Sequence, residues 1–387
     1  MPKIAVVGGG VVGATIASEI AALREFDVHL FETRAQLGSG VTSSAIGGIT
    51  PQSESFCRGP LRHVAVWSTE LFRPLLNRLE DQTGKGVPVL DSGQIVVART
   101  EHDMERLLTT SLPAWELEGF DTHVLSQTDL MLAEPLLSRD LVGGLLLPIE
   151  FALDPGDLMS VLFSALSTDK HVRLRMGERV SSISSCATHA AITSESGRVE
   201  EYDVVVVATG MLAKELIPEL AERIYPMRGQ AIEFETPSKG YALNHHVYAA
   251  LGLNDRSSYM VPRWDGRVAA GVTYEPNSDS EQPDRETIEK IKSTLGEVCP
   301  SSLRWNEIRA WSGVRPASFD GIPIIGFADE HERIVACAGH QGLGVTLAPA
   351  SARMVSALCT RASQDAETSH ALKICSIDRP KTTPTPN

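Results

Sequence analysis

The segment IAVVGGGVVGATIASEIAAL constrains the fold of this chain more than any other. Residues 4–7 form an apolar, β-branched run, Gly8-x-Gly10-x-x-Gly13 follows at once, and Ile16, Ile20 and Leu23 then recur at helical spacing. Each glycine answers a steric demand. Gly8 permits a tight turn, Gly10 lets a pyrophosphate approach the backbone, and Gly13 lets the helix pack closely on the strand. The free N–H groups and the dipole at the helix start then favour negative charge. The next strand, DVHLFE, ends in Glu32, whose carboxylate suits ribose hydroxyls and repels a 2′-phosphate. The whole pattern predicts an α/β fold with a Rossmann-like dinucleotide site, and leaves NAD and FAD both open.

A chain of 387 residues with 42% hydrophobic residues can build two domains. Its net charge of -14 argues against nucleic acid and anionic membranes as partners, since both select basic faces. Cys57, Cys186, Cys299, Cys337, Cys359 and Cys375 show no CxxC spacing, which predicts neither a zinc site nor a disulfide framework and fits free thiols in a reducing cytoplasm. MPKIAVVGG runs straight into a strand, so no signal peptide is expected, and no apolar run reaches transmembrane length. The expected location is therefore cytoplasmic.

Small and hydroxyl residues dominate QLGSGVTSSAIGGITPQ, a composition that lets backbone N–H groups approach a large ligand. Much later, HVRLRMGERVSSIS and HAAITSESGRVEEY read as two alternating strands, the second bent at Gly197, leading into the buried strand DVVVVATG. A strand returning so late makes the nucleotide domain discontinuous: residues 1–85, 145–224 and 311–376. Residues 86–144 and 225–310 form an inserted α+β domain on a mixed or antiparallel sheet. Within it, SYMVPRWDGRVAAGVTYE predicts a hairpin turning at Asp265-Gly266, and the segment around Pro283 leads into a helix. Residues 377–387 read as a disordered tail. His245 and His246 are adjacent on a strand, face opposite sides, and read as structural.

The ordered series VVGGGVVGATIASEI, GVTSSAIGG, LDPGDLMSVL, DVVVVATG, PMRGQ, YMVPRWDGRVAAGVT, WSGVRPASFDGIPIIG and AGHQGLGVTLAPASARMV resembles the D-amino acid oxidase superfamily of FAD-dependent amine oxidoreductases. Its branches include glycine oxidases and the D-amino acid and D-hydroxyproline dehydrogenases. The resemblance implies FAD bound in extended form, with a smaller substrate domain roofing the flavin. It places Gly8, Gly10, Val11, Val12 and Gly13 around the pyrophosphate and Glu32 at the ribose. Val41, Thr42, Ser43, Ile46, Gly47 and Gly48 match the loop along the phosphates and flavin edge, Val180 the residue at the adenine, and Gly210 and Gly313 further points of cofactor contact. His340, Gln341, Gly342, Leu343, Gly344, Val345 and Thr346 match the loop and helix start under the flavin pyrimidine, where a helix N-terminus would stabilise a reduced, anionic flavin. The residue that anchors flavin covalently in sarcosine oxidases has no counterpart after WSGVRPASFDG, so FAD is expected to be non-covalent. Gly342 stands where glycine oxidases carry arginine, a departure toward the dehydrogenase pattern, and Met211-Leu212 replace the family's tryptophan after DVVVVATG.

Arg315 lies between a valine and Pro316 in apolar surroundings, where a guanidinium calls for an anion. The resemblance supplies one, the substrate carboxylate, with Tyr259 as its second donor. Tyr274, on the facing strand, together with Gly48 and His340, is expected to shape the pocket. The implied reaction is oxidation of a small amino acid or secondary amine of glycine, D-amino acid or D-proline type. Hydride passes from the α-carbon to flavin N5, and the imino acid hydrolyses to an oxo acid. No residue is required as base, since the amine is bound neutral. Oxygen, a quinone or a partner flavoprotein could reoxidise the flavin, and homo- and hetero-oligomers both stay open. The competing readings are a NAD-dependent dehydrogenase, an FAD-dependent 2-hydroxy acid dehydrogenase, and an electron-transferring subunit of a larger complex.

Overall fold

A computed structural model describes residues 1–251, 256–361 and 363–380. Two large sheets organise it. The first has six strands in the order Ile324–Phe327, Ile334–Ala338, Val204–Val207, Lys3–Val7, Asp27–Glu32 and Val172–Met176, parallel except for the first pair. Its inner strands Lys3–Val7, Val204–Val207 and Ile334–Ala338 are nearly continuous apolar runs because both faces are covered, whereas the edge strand Val172–Met176 alternates. Helices Val11–Ala22, Pro155–Thr168 and Ala348–Thr360 pack together over one face around Ile16, Leu162 and Val355. A three-stranded meander, Val180–Ser185, Ala190–Ser194 and Val199–Tyr202, covers the other through Ile192 and Tyr202.

This corrects one expectation. The two alternating runs after residue 170 are four strands, broken at Gly177 and Gly197, whose φ of 72° and 79° fall in the left-handed region. Alternation carries through both breaks, so periodicity alone does not show where Val172–Met176 leaves for the parallel sheet.

The second sheet has nine strands, antiparallel except where His246–Leu251 runs parallel to Gln94–Ala98. Strands Arg256–Pro262 and Arg267–Gly271 form the hairpin around Asp265-Gly266, with Pro262 opposite Val268. Ile224–Glu235 pairs along its length with Asn306–Ser318, placing Met227 opposite Arg315 and Gly229 opposite Gly313. Asn306–Ser318 runs without a break through the division expected at 310/311. Its last turns reach the first sheet's loops, where Ala317 bridges to His340. This strand therefore carries Arg315 to the seam between the sheets.

The expected tail does not begin at 377. Ile377 N donates to Ile325 O at 3.2 Å, and the Arg379 guanidinium grips Asp320 at 2.6 and 2.9 Å and the carbonyl of Ile322. Residues 381–387 lie outside the described residues. Among the described residues, no helix is long and apolar enough to cross a membrane.

Candidate active site

A cleft of about 380 Å³ runs along the seam between the two sheets. One end is made largely of main chain. Gly8 turns with φ 109°, and a Cβ on Gly13 would sit 1.9 Å from the Gly8 carbonyl, so strand and helix meet only because residue 13 is glycine. Glu32 bends back over the turn, accepting from Gly9 N at 2.9 Å and Arg34 N at 2.8 Å. Thr42 Oγ1 accepts from Val11 N at 3.0 Å, joining the loop to the helix start. Gly47, with φ 87°, lies so close to Leu153 that a Cβ would be 1.9 Å from its carbonyl. The buried Arg263 guanidinium donates to Leu153 O and Ile46 O and holds this loop in place.

Gly8, Gly10, Val11, Val12, Glu32, Val41, Thr42, Ile46, Gly47, Gly48, Val180, Gly210, Gly313 and residues 340–346 all border the cleft. Gly13 and Ser43 do not. Gly13 acts through packing, and Ser43 Oγ turns to Gly40 O. A long groove of glycines beside a helix N-terminus, ending in an acid, fits an extended dinucleotide. The loop under its far end departs from expectation in one respect. Gln341–Leu343 is a short 3-10 turn with Gln341 at φ 49°, and the helix proper begins only at Ala348.

The other end is made of side chains. Arg315 lays its guanidinium over Gly229, where a Cβ would come within 2.2 Å of it, and over the Tyr274 ring, 4.9 Å from the centroid. Among the described residues its one hydrogen bond is from Nη1 to Thr273 O at 3.0 Å, and no carboxylate lies within 4 Å. The remaining donors line the cleft. Tyr259, buried on its strand, stacks on Tyr248 with centroids 4.5 Å apart. Tyr274 corrects an expectation: it is not on the facing strand, which ends at Gly271, but on the segment that leaves it. That departure turns its ring under Arg315 rather than across from Tyr259.

Sequence reasoning missed Glu54. It follows the small-residue loop in QSESF, a polar stretch that reads as surface, yet it is 8% exposed and borders the cleft. The Tyr259 hydroxyl donates to its Oε2 at 3.4 Å and the Tyr274 hydroxyl to both oxygens at 3.3 and 3.4 Å, while Ser55 N donates to Oε1. Burial pushes this carboxyl up to about 7, opposed chiefly by the Arg315 guanidinium. Behind it, the buried Glu150 accepts from Gln52 N, Ser53 N and Ser53 Oγ, clamping the segment that carries Glu54; burial pushes Glu150 up to about 8. No spacing in the sequence joins residues 54, 150, 259, 274 and 315.

His340 turns away from this group. Its Nε2 lies 2.9 Å from Ser351 Oγ in the core, and burial lowers its pKa to about 4, so the ring is neutral at physiological pH. His246 is likewise buried, lowered to about 3, and His245 pairs with Glu134 at 2.9 Å.

Residues 3–358 match the family described as DAO, FAD dependent oxidoreductase. The glycine oxidase of Geobacillus kaustophilus (strain HTA426) is 27% identical over 92% of this chain and 93% of its own. The D-amino acid dehydrogenase of Methylobacterium sp. (strain 4-46) is 28% identical over 79% of this chain and 72% of its own. The crystal structure of glycine oxidase from Geobacillus kaustophilus superposes with a TM-score of 0.86 at 26% identity, covering 98% of this chain and 99% of that one.

Proposed function

This chain belongs to the DAO family of FAD-dependent oxidoreductases, and from that premise we propose that it oxidises the carbon–nitrogen bond of a small amino acid bound by its carboxylate at Arg315. The observation that carries this reading is the guanidinium itself. It is seated on Gly229, backed by the Tyr274 ring, held by one carbonyl, and otherwise directed at the cleft that the glycine turn borders. A planar fork with unspent donors in a partly desolvated cleft matches a carboxylate in geometry and charge. Tyr259 borders the same cleft, with its hydroxyl donating to Glu54. FAD, held non-covalently by the glycine turn, Glu32, the loop 41–48 and the loop 340–346, would supply the redox chemistry by accepting a hydride from the α-carbon. What the protein's own residues contribute is position: Arg315 fixes one end of the substrate, and its proline-flanked strand fixes Arg315 relative to the cofactor groove. The imino acid released would hydrolyse in water to an oxo acid and ammonia.

Anaerobic mixing of the purified yellow protein with glycine, sarcosine, D-amino acids, D-proline, hydroxyprolines and 2-hydroxy acids tests this. Bleaching of the flavin by one or more of the amino acids is expected. Bleaching by 2-hydroxy acids alone, or by nothing in the set, would sink the reading. Admission of air then separates an oxidase, whose colour returns within the mixing experiment, from a dehydrogenase that waits for another acceptor.

A further inference from the structure

We propose that Glu54 is the proton acceptor for the substrate's ammonium group, pairing with the nitrogen while Arg315 holds the carboxylate. This rests on the amino-acid reading above and adds a residue to it.

The charges of the site come first. Among the described residues its substrate end holds one cation, Arg315, and one carboxyl, Glu54; the hydroxyls of Tyr259 and Tyr274 donate to Glu54, and the Tyr274 ring lies under the guanidinium. A zwitterionic amino acid carries the same two charges reversed, so each end of the ligand meets its opposite. A simple carboxylate would instead bring a second negative charge beside Glu54.

The reaction implied by the family resemblance starts from a neutral amine and asks no base for that step, but making the neutral amine from the zwitterion does ask for one. An amino acid in neutral water carries –NH3+, which has no lone pair, and a C=N bond cannot form until one proton leaves. In the step proposed, one N–H bond breaks and one O–H bond forms on Glu54. The substrate becomes R–CH(NH2)–COO− and Glu54 becomes a neutral carboxylic acid, with no electron transferred. The nitrogen pair is then free to form C=N once the α-hydrogen leaves with its two electrons, for which FAD in the groove would be the oxidant. Glu54 gives up its proton to solvent when the product departs.

The other titratable groups around Glu54 do not fit the task. Burial raises Tyr259 and Tyr274 well above the ordinary tyrosine range, and both already donate to Glu54. Burial pushes the Cys57 thiol, three residues on, up to about 12. Glu150 spends its oxygens on Gln52 and Ser53 and does not border the cleft. His340 is engaged with Ser351. Glu54 alone among them borders the cleft with a carboxyl whose ionisation falls near neutrality, where a base can both take and return a proton.

The test is anaerobic flavin bleaching against pH, by the best amino acid found for the wild type, with Glu54→Gln and Glu54→Asp. Wild-type bleaching should rise with pH through about 7, the range in which Glu54 ionises. Glu54→Gln should keep its flavin, slow by on the order of a hundredfold near pH 7.5, lose that limb, and regain rate only as the amine's own ionisation is approached. In a spectral titration with acetate, which has no amine, Glu54→Gln should bind at least as tightly as wild type. A glutamine variant with the wild-type rate and limb would overturn the proposal while leaving the amino-acid reading intact. So would an equal loss at every pH. Should Glu54→Gln fail to fold, Glu54→Asp decides: a displaced limb with rate restored at high pH supports it, and an unmoved profile overturns it. A wild type that no amino acid bleaches would strike the parent reading instead.

Discussion

The two ends of the cleft are built on opposite plans. The cofactor end is main chain: Gly8, Gly13 and Gly47 bring carbonyls and amides within distances that a single methyl would violate. The substrate end is side chain: Glu54, Tyr259, Tyr274 and Arg315 converge from four stretches of sequence and meet through charge and hydroxyls. At these three glycines the first end admits no added methyl; the other end tolerates replacement and changes its chemistry. Loss of structure should therefore follow substitution at the first, and a change in binding or pH response should follow substitution at the second.

The largest effect is expected from Gly13→Ala. The new Cβ meets a backbone oxygen at 1.9 Å, which no rotamer can relieve. Separating helix and strand to admit it costs about 3 kcal/mol or more. The variant should purify with little flavin absorbance and a lowered Tm. A stable protein with full flavin content would break the contrast at its first term.

Arg315→Ala should spare the flavin and the melting temperature, yet raise the Kd for acetate about ten- to a hundredfold, about 1.4–2.7 kcal/mol. It should also move the Glu54 limb to higher pH, because the guanidinium opposes the upward push of burial on that carboxyl. Arg315→Lys should recover only part of the binding, since an ammonium is a point charge without the fork and stacks poorly on Tyr274. Loss of flavin in Arg315→Ala would show that the two ends are coupled through the strand Asn306–Ser318.

The same contrast explains what could be read from sequence. The glycine turn, Glu32 and the Asp265-Gly266 hairpin are local, and their spacing predicts them. Arg315 could be singled out because a guanidinium between Val314 and Pro316 lacks a partner nearby in the chain. Tyr274 was harder, since pairing along the hairpin does not show that the strand stops at Gly271. Glu54 and Gly229 were not legible at all. Glu54 sits in a polar run that only tertiary packing buries, and Gly229 looks like a glycine within a strand until the guanidinium lies over it. Gly177 was missed for a related reason, because side-chain alternation continues on both sides of the break.

The smallest expected effect, Tyr274→Phe, separates two contributions of one side chain. The ring stays beneath Arg315, so the orientation of the guanidinium and the affinity for acetate should change less than about threefold, well under 1 kcal/mol. What is lost is the hydroxyl donated to Glu54 at 3.3–3.4 Å, long contacts that lie at the weak end of hydrogen bonding. Donation to a carboxylate favours its charged form, so removing it raises the carboxyl's pKa. At about 0.5 kcal/mol for so long a bond, the limb near 7 should move upward by less than about half a pH unit. Tyr274→Leu removes the ring as well and should weaken acetate binding beyond what Tyr274→Phe does. Equal behaviour of the two variants in acetate affinity would mean that the stack contributes nothing, and that Gly229 and the Thr273 carbonyl suffice to aim Arg315.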